Sequence, residues 1–190
     1  MVPMDKGVII KSGNSILREK ARQVALEEIR SERIKKIIEL MSNALRKTPD
    51  GIGIAAPQIG VSLRIFIASE EAYQASEHLD IDKKPKDAWK HYVFINPEVI
   101  KISRKKVSSQ EGCLSVSGVY GSVARSEKIK VAAYNEEGKK FERGTTGLFA
   151  RLLQHEIDHL NGVLFIDKAE KLTKSREKNG KSKNRISRNA

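Results

Sequence analysis

Two histidines four residues apart, with a glutamate beside the first, are the residues of this chain most suited to chemistry: His155-Glu156-Ile157-Asp158-His159 has the pattern H-E-x-x-H. On a helix, positions i and i+4 share a face, so both imidazoles can grip one metal ion while Glu156 reaches a water beside it. The preceding residues predict that helix, because Leu148, Leu152, His155 and His159 fall on one stripe, with Arg151 at its edge. Two satisfied surface histidines beside a solvated acidic pair would be the bland alternative. An apolar stripe running straight into two imidazoles speaks against it.

Two imidazoles do not complete a metal site. The zinc proteases with an extended H-E-x-x-H-x-x-G-x-x-H pattern supply a third His, but here Gly162 is followed by Phe165 where that His belongs. Glu170 and Glu177 are carboxylate candidates at the edge of, or inside, a basic C-terminal run. The other candidate is Cys113, the only cysteine, within the polar stretch Glu111-Gly112-Cys113-Leu114-Ser115. A thiol there can approach a metal and lose its proton to it. A lone cysteine is also commonly a small buried hydrophobe, so the residues alone leave both readings open.

The cysteine and histidine segments, together with Gly51-Ile52-Gly53-Ile54-Ala55-Ala56-Pro57-Gln58, resemble the three motifs of peptide deformylases, in the same order. The resemblance runs from about Ile9, where Ile16-Leu17-Arg18 is similar to the family's opening segment, to about Asp167. It departs at Gly13 and Ser117, where proline is common in relatives, in a longer excursion over 69–91, and at Arg151, where many relatives carry an apolar residue facing the substrate.

The resemblance implies removal of the formyl group from the N-terminal formyl-methionine of newly made proteins, with release of formate. It assigns the metal to Cys113, His155 and His159, and general base and acid work to Glu156. The Gln58 side-chain amide and the Leu114 backbone N–H would stabilise the oxyanion, while Ile52, Gly53, Leu148 and Leu152 would take the methionine. Gly51 and Gly53 would permit close approaches that a side chain blocks, and Arg125 would support the cysteine motif by pairing with Glu111. One thiolate and two imidazoles suit Zn²⁺, Fe²⁺, Co²⁺ or Ni²⁺. The resemblance points to Fe²⁺ in the cell, with zinc or nickel in purified samples.

The elements that must position these residues read as an α+β fold: small, mostly antiparallel sheets around the helix that carries H-E-x-x-H, with an N-terminal amphipathic helix. Ile34, Ile37, Ile38, Met41, Ala44 and Leu45 predict that first helix within residues 26–47, ended by Thr48-Pro49-Asp50-Gly51. Strands are predicted at 63–68, 92–95, 99–102 and 128–134, the last entering a hairpin turn at Asn135-Glu136-Glu137-Gly138. Residues 69–91 read as a polar surface excursion, and 148–160 as the motif helix.

At 190 residues, with 39% hydrophobic and 32% charged, the chain fits one globular domain. It has no run of about 20 apolar residues, and Met1–Ile10 lacks signal-peptide features, so the expectation is a cytoplasmic protein with no membrane partner and, with one cysteine, no disulfide framework. The net charge is +12. Residues 171–190 hold eight Lys or Arg against the single Glu177, a net +7. The expected division is therefore a catalytic domain over 1–168 and a basic, flexible tail over 169–190. Such a tail suits ribosomal RNA, where nascent formylated chains emerge; no DNA partner is expected. Two competing readings are a zinc endopeptidase with Glu170 as third ligand, and a basic RNA- or ribosome-binding protein with an unused catalytic scaffold.

Overall fold

Ser31 sets where the first helix begins. Its side chain accepts a hydrogen bond from the Ile34 N–H at 3.3 Å, so α1 spans Glu32–Arg46 and residues Leu26–Glu28 form only a single 3₁₀ turn. The six apolar residues expected on its inner face are all buried. In chain order there follow β1 (Gly53–Ala55), β2 (Ile65–Ser69), α2 (Glu70–Ser76), β3 (His91–Ile102), β4 (Lys106–Cys113) and β5 (Val116–Ser126), then β6 (Lys128–Tyr134), β7 (Lys140–Thr146), α3 (Gly147–Leu160) and β8 (Leu172–Lys174). The computed structural model describes residues 8–76 and 89–175. Among the described residues, no helix is long and apolar enough to cross a membrane.

All pairing between these strands is antiparallel, in two sheets ordered β1-β2-β3-β6-β7 and β4-β5-β8. Side chains alternate across the first sheet. Ile54, Ile65, Ile67, Val93 and Ile95 pack with α1, whereas Ala55, Phe66, Ala68, Phe94, Val131 and Ala133 pack with Phe149, Leu153, Ile157 and Leu160 of α3. The sheet is thus sandwiched between the two helices. Because β2 is covered on both faces, it reads as the continuous run Ile65-Phe66-Ile67-Ala68. A third cluster of Leu17, Val116, Val123, Leu164 and Phe165 lies under the second sheet.

The structure departs from the sequence expectation in several places. The two runs at 92–95 and 99–102 form one strand, bulged between Ile95 and Glu98. Asn96 there has φ +50, and its amide clasps the Val24 N–H (2.8 Å) and C=O (2.7 Å). The excursion over 69–91 begins with α2, where Ser69 accepts from the Ala72 N–H at 3.3 Å and the Ser76 hydroxyl accepts from the Phe149 N–H at 2.6 Å. Residues 77–88 of that excursion lie outside the described residues.

The expected boundary at 168/169 also leaves a strand on its far side. Leu172, Thr173 and Lys174 pair with Gly121, Tyr120 and Val119 of β5. Gly121 has no room for a side chain, because a Cβ would lie 2.7 Å from Ala169 Cβ and 3.0 Å from the Lys171 carbonyl oxygen. Residues 176–190, which carry the rest of the expected tail, lie outside the described residues.

Candidate metal centre and active site

α3 delivers His155, Glu156 and His159 together, as the stripe predicts. The chain enters α3 through Gly147 at φ +60, and Phe149, Leu153 and Leu160 anchor it in the core at 0% exposure. Glu156 and His159 are pulled inward with it, to 2% and 1% exposure. The β4–β5 turn approaches from the second sheet and brings Cys113 Sγ to 3.2 Å from His159 Nε2. One donor atom each from Cys113, His155 and His159 lies within 4.8 Å of the others. Among the described residues Glu170 is not part of that group, and Phe165 instead stacks on His155.

The two imidazoles have opposite electrostatic surroundings. Burial opposes a positive ring at His155, yet its contacts with Cys113 and Glu111 and the charge of Glu156 outweigh that opposition and push its pKa up to about 10. Burial and the neighbouring cations hold His159 well below the usual histidine range, leaving it the neutral imidazole that a metal requires. The donor set of one soft thiol and two imidazoles fits a divalent transition metal.

The outer residues lock this geometry. His155 Nδ1 lies 3.0 Å from Glu111 Oε2, the carboxylate–histidine arrangement that orients metal-binding rings. Glu111 is gripped at both oxygens by Arg125, through Nε at 2.8 Å and Nη2 at 2.9 Å. Although burial opposes its charge, these bonds to Arg125 and His155 hold its carboxyl at about 2. Arg125 is 3% exposed. Its third contact is Asp158, which Lys168 also pairs with at 2.7 Å. The expected Arg125–Glu111 pair is present, but Asp158 and Lys168 were not foreseen: nothing in spacing links positions 125, 158 and 168, though Asp158 stands inside the motif itself.

Gln58 closes the other side. It sits on the 3₁₀ turn Ala56–Ile59, 1% exposed. Its Oε1 accepts from the Ala55 N–H at 2.8 Å, so the amide group turns towards the centre and donates to Ser115 Oγ at 3.2 Å and Cys113 Sγ at 3.6 Å. Ser115 is a further residue that sequence reasoning did not single out. Glu156 Oε2 is buried without a hydrogen-bond partner among the described residues, and burial, against the pull of His155 and Arg125, pushes its carboxyl up to about 7. That value suits a group that must both take and give a proton near neutral pH.

A cavity of about 470 Å³ opens beside these groups. Ile52, Gly53, Leu148, Leu152 and Arg151 line it together with Gln58, Cys113, Leu114, His155 and Glu156. Gly53 is required there, since a Cβ would lie 2.6 Å from Leu152 Cδ1 and 2.7 Å from Glu156 Oε1. An alanine would press on the glutamate itself.

The family model of polypeptide deformylases matches residues 7–175. This chain belongs to the peptide deformylase family. Among curated deformylases it is 39% identical to that of Desulforudis audaxviator, covering 89% of this chain and 97% of the relative. It is 41% identical to the chloroplastic/mitochondrial peptide deformylase 1A of Arabidopsis thaliana, over 87% of this chain and 62% of that protein. The chain thus spans less than two thirds of these two curated plant relatives, 58% in the tomato case. Among solved structures, the Thermotoga maritima deformylase superposes with a TM-score of 0.71 at 35% identity, covering 86% of this chain and 97% of that one. The Met-Ala-Ser-bound class I type b deformylase of Acinetobacter baumannii does so at 0.71 and 32%, covering 84% and 96%.

Proposed function

We propose that this chain is a metal-dependent hydrolase that removes the formyl group from the N-terminal formyl-methionine of newly synthesised polypeptides and releases formate. The observation that carries the reading is the convergence of one thiol, two imidazoles, a buried carboxylate and an anchored amide on one cavity, in a chain of this family.

Cys113, His155 and His159 would hold one divalent ion, Fe²⁺ in the cell and Zn²⁺, Ni²⁺ or Co²⁺ as substitutes in purified protein. When bound, such an ion supplies Lewis acidity that lowers the pKa of a water from about 16 towards 7. Glu156 takes the proton of the attacking water and passes it to the departing α-amine as the formyl C–N bond breaks. Gln58 Nε2 and the Leu114 N–H donate to the oxygen on which negative charge develops; loss of one such donor typically costs about 3–4 kcal/mol of barrier. Ile52, Gly53, Leu148 and Leu152 take the methionine side chain. Glu111, fixed by Arg125, keeps His155 in its tautomer and aim.

The expected setting is the cytoplasm, with the nascent chain as substrate. Residues 176–190 add six Lys or Arg against one Glu, and act as an electrostatic tether to ribosomal RNA. The deciding test is incubation of anaerobically prepared, iron-loaded protein with formyl-Met-Ala-Ser. Formate and intact Met-Ala-Ser are expected. Cleavage of the Met–Ala bond would favour the endopeptidase reading, and no turnover at all would favour an RNA-binding protein that retains the scaffold.

A further inference from the structure

The two donors assigned to the oxyanion stand on different sheets. Gln58 follows β1 in the five-stranded sheet, whereas Leu114 lies in the turn between β4 and β5 of the other. Among the described residues, no strand pairing joins the two sheets. Three consecutive residues near the N-terminus do reach both. The Ile10 N–H donates to the Gln58 carbonyl at 2.8 Å, and the Ser12 N–H donates to the Ser115 carbonyl at 2.7 Å. Between them, Lys11 Nζ donates to the Leu114 carbonyl at 2.9 Å and to Ser117 Oγ at 2.8 Å. Lys11 also lines the cavity.

We propose that Ile10–Ser12 is a strap that fixes the two oxyanion donors relative to each other, with Lys11 as its positioning residue; this rests on the donor roles given to Gln58 and Leu114 above. The two backbone bonds tie the turn that carries Gln58 to Ser115, which in turn accepts from the Gln58 side chain. That loop of contacts fixes Gln58 and the Ser115 carbonyl, and the pairing of Cys113 with Val116 closes the base of the turn; the orientation left to set is that of the Leu114–Ser115 peptide at its tip. The ammonium sets it by binding the Leu114 carbonyl and Ser117 Oγ in β5, and the Leu114 N–H, one peptide unit earlier on the same Cα, is aimed through it. Backbone orientation matters here because an oxyanion donor acts only when aimed at the position where charge will develop, and small misplacements near a reacting centre are costly.

The test uses the full-length, iron-loaded chain and its Lys11→Met and Lys11→Arg variants. Lys11→Met is expected to lower kcat on formyl-Met-Ala-Ser about tenfold, with KM, metal per chain and thermal midpoint unchanged, and Lys11→Arg is expected to restore most of the rate. Amide hydrogen exchange read by NMR should speed up at Leu114 and Ser115 in Lys11→Met, and not in α1 or α3. A raised KM at constant kcat would overturn the proposal by making Lys11 a substrate contact, as would unchanged kcat or unchanged exchange. Wild-type protein that carries metal but releases no formate would instead overturn the activity on which the strap's role rests, a result visible before any variant is made.

Discussion

On the α3 side of the centre, Glu156 and His159 are held in place by an apolar core: Phe149, Leu153, Ile157 and Leu160 pack against the first sheet and draw the helix inward. On the β4–β5 side, Cys113 and Leu114 sit on a turn fixed by polar contacts, from Lys11, Ser12, Gln58 and the Arg125–Glu111 pair. The two surroundings perform different tasks. Apolar burial makes charge costly, which raises Glu156 towards neutrality and keeps His159 unprotonated. The polar side sets direction, by aiming the thiol, the amide and one imidazole at a common point.

Changing chemistry on the apolar side without disturbing packing should have the largest effect. Glu156→Gln keeps the volume and is not a ligand, so it should retain the metal while turnover falls by about 10² to 10⁴-fold; formate release normalised to metal content measures this. Wild-type-like turnover would remove Glu156 from the mechanism. Breaking the polar side should instead cost stability. Arg125→Leu leaves Glu111 and Asp158 short of a buried partner and should destabilise the fold by about 3–5 kcal/mol, read from the urea midpoint. A loss below about 1 kcal/mol would mean that the pair is not what holds the cysteine turn.

A subtler change on the same side is Glu111→Gln, which preserves shape but removes the charge behind His155. Metal affinity should fall by about 10- to 100-fold, measurable by competition with a chelator, while the fold persists. The smallest effect on chemistry belongs to the region outside both sides. Truncation after Ser175 keeps β8 and should leave turnover of formyl-Met-Ala-Ser unchanged, yet weaken salt-sensitive co-sedimentation with ribosomes. Equal co-sedimentation of truncated and full-length protein at low salt would remove the tether.

The two sides also differed in how far sequence disclosed them. α1, α3 and the β6–β7 hairpin were legible because their signals are local: helical spacing of apolar residues, or a turn between alternating runs. The candidate ligands were legible through short motifs, and His155, His159 and Cys113 do meet in space. β4 and β5 were not legible, because Lys106–Gln110 is largely polar and Ser117–Ser122 is interrupted by Gly118 and Gly121, and their pairing is made by backbone groups. β8 was hidden for the same reason, its three exposed residues standing within a run of basic residues that composition assigns to a tail. Arg125 with Asp158, Ser115 with Gln58 and Lys11 with Leu114 join residues 33, 57 and 103 positions apart. No periodicity reports contacts of that kind.

In the proposed function the two sides meet at one metal ion, where a formyl amide is hydrolysed. Its most direct test is metal content and formate release measured in one anaerobic sample, for the wild-type chain and for Cys113→Ser, with formyl-Met-Ala-Ser as substrate. The wild-type chain is expected to bind one ion and release formate in proportion to it, while the serine variant, offering a far poorer soft ligand, loses metal or changes its preference and loses turnover with it. Unchanged metal stoichiometry and unchanged turnover in Cys113→Ser would mean that the thiol holds no metal and takes no part in the reaction.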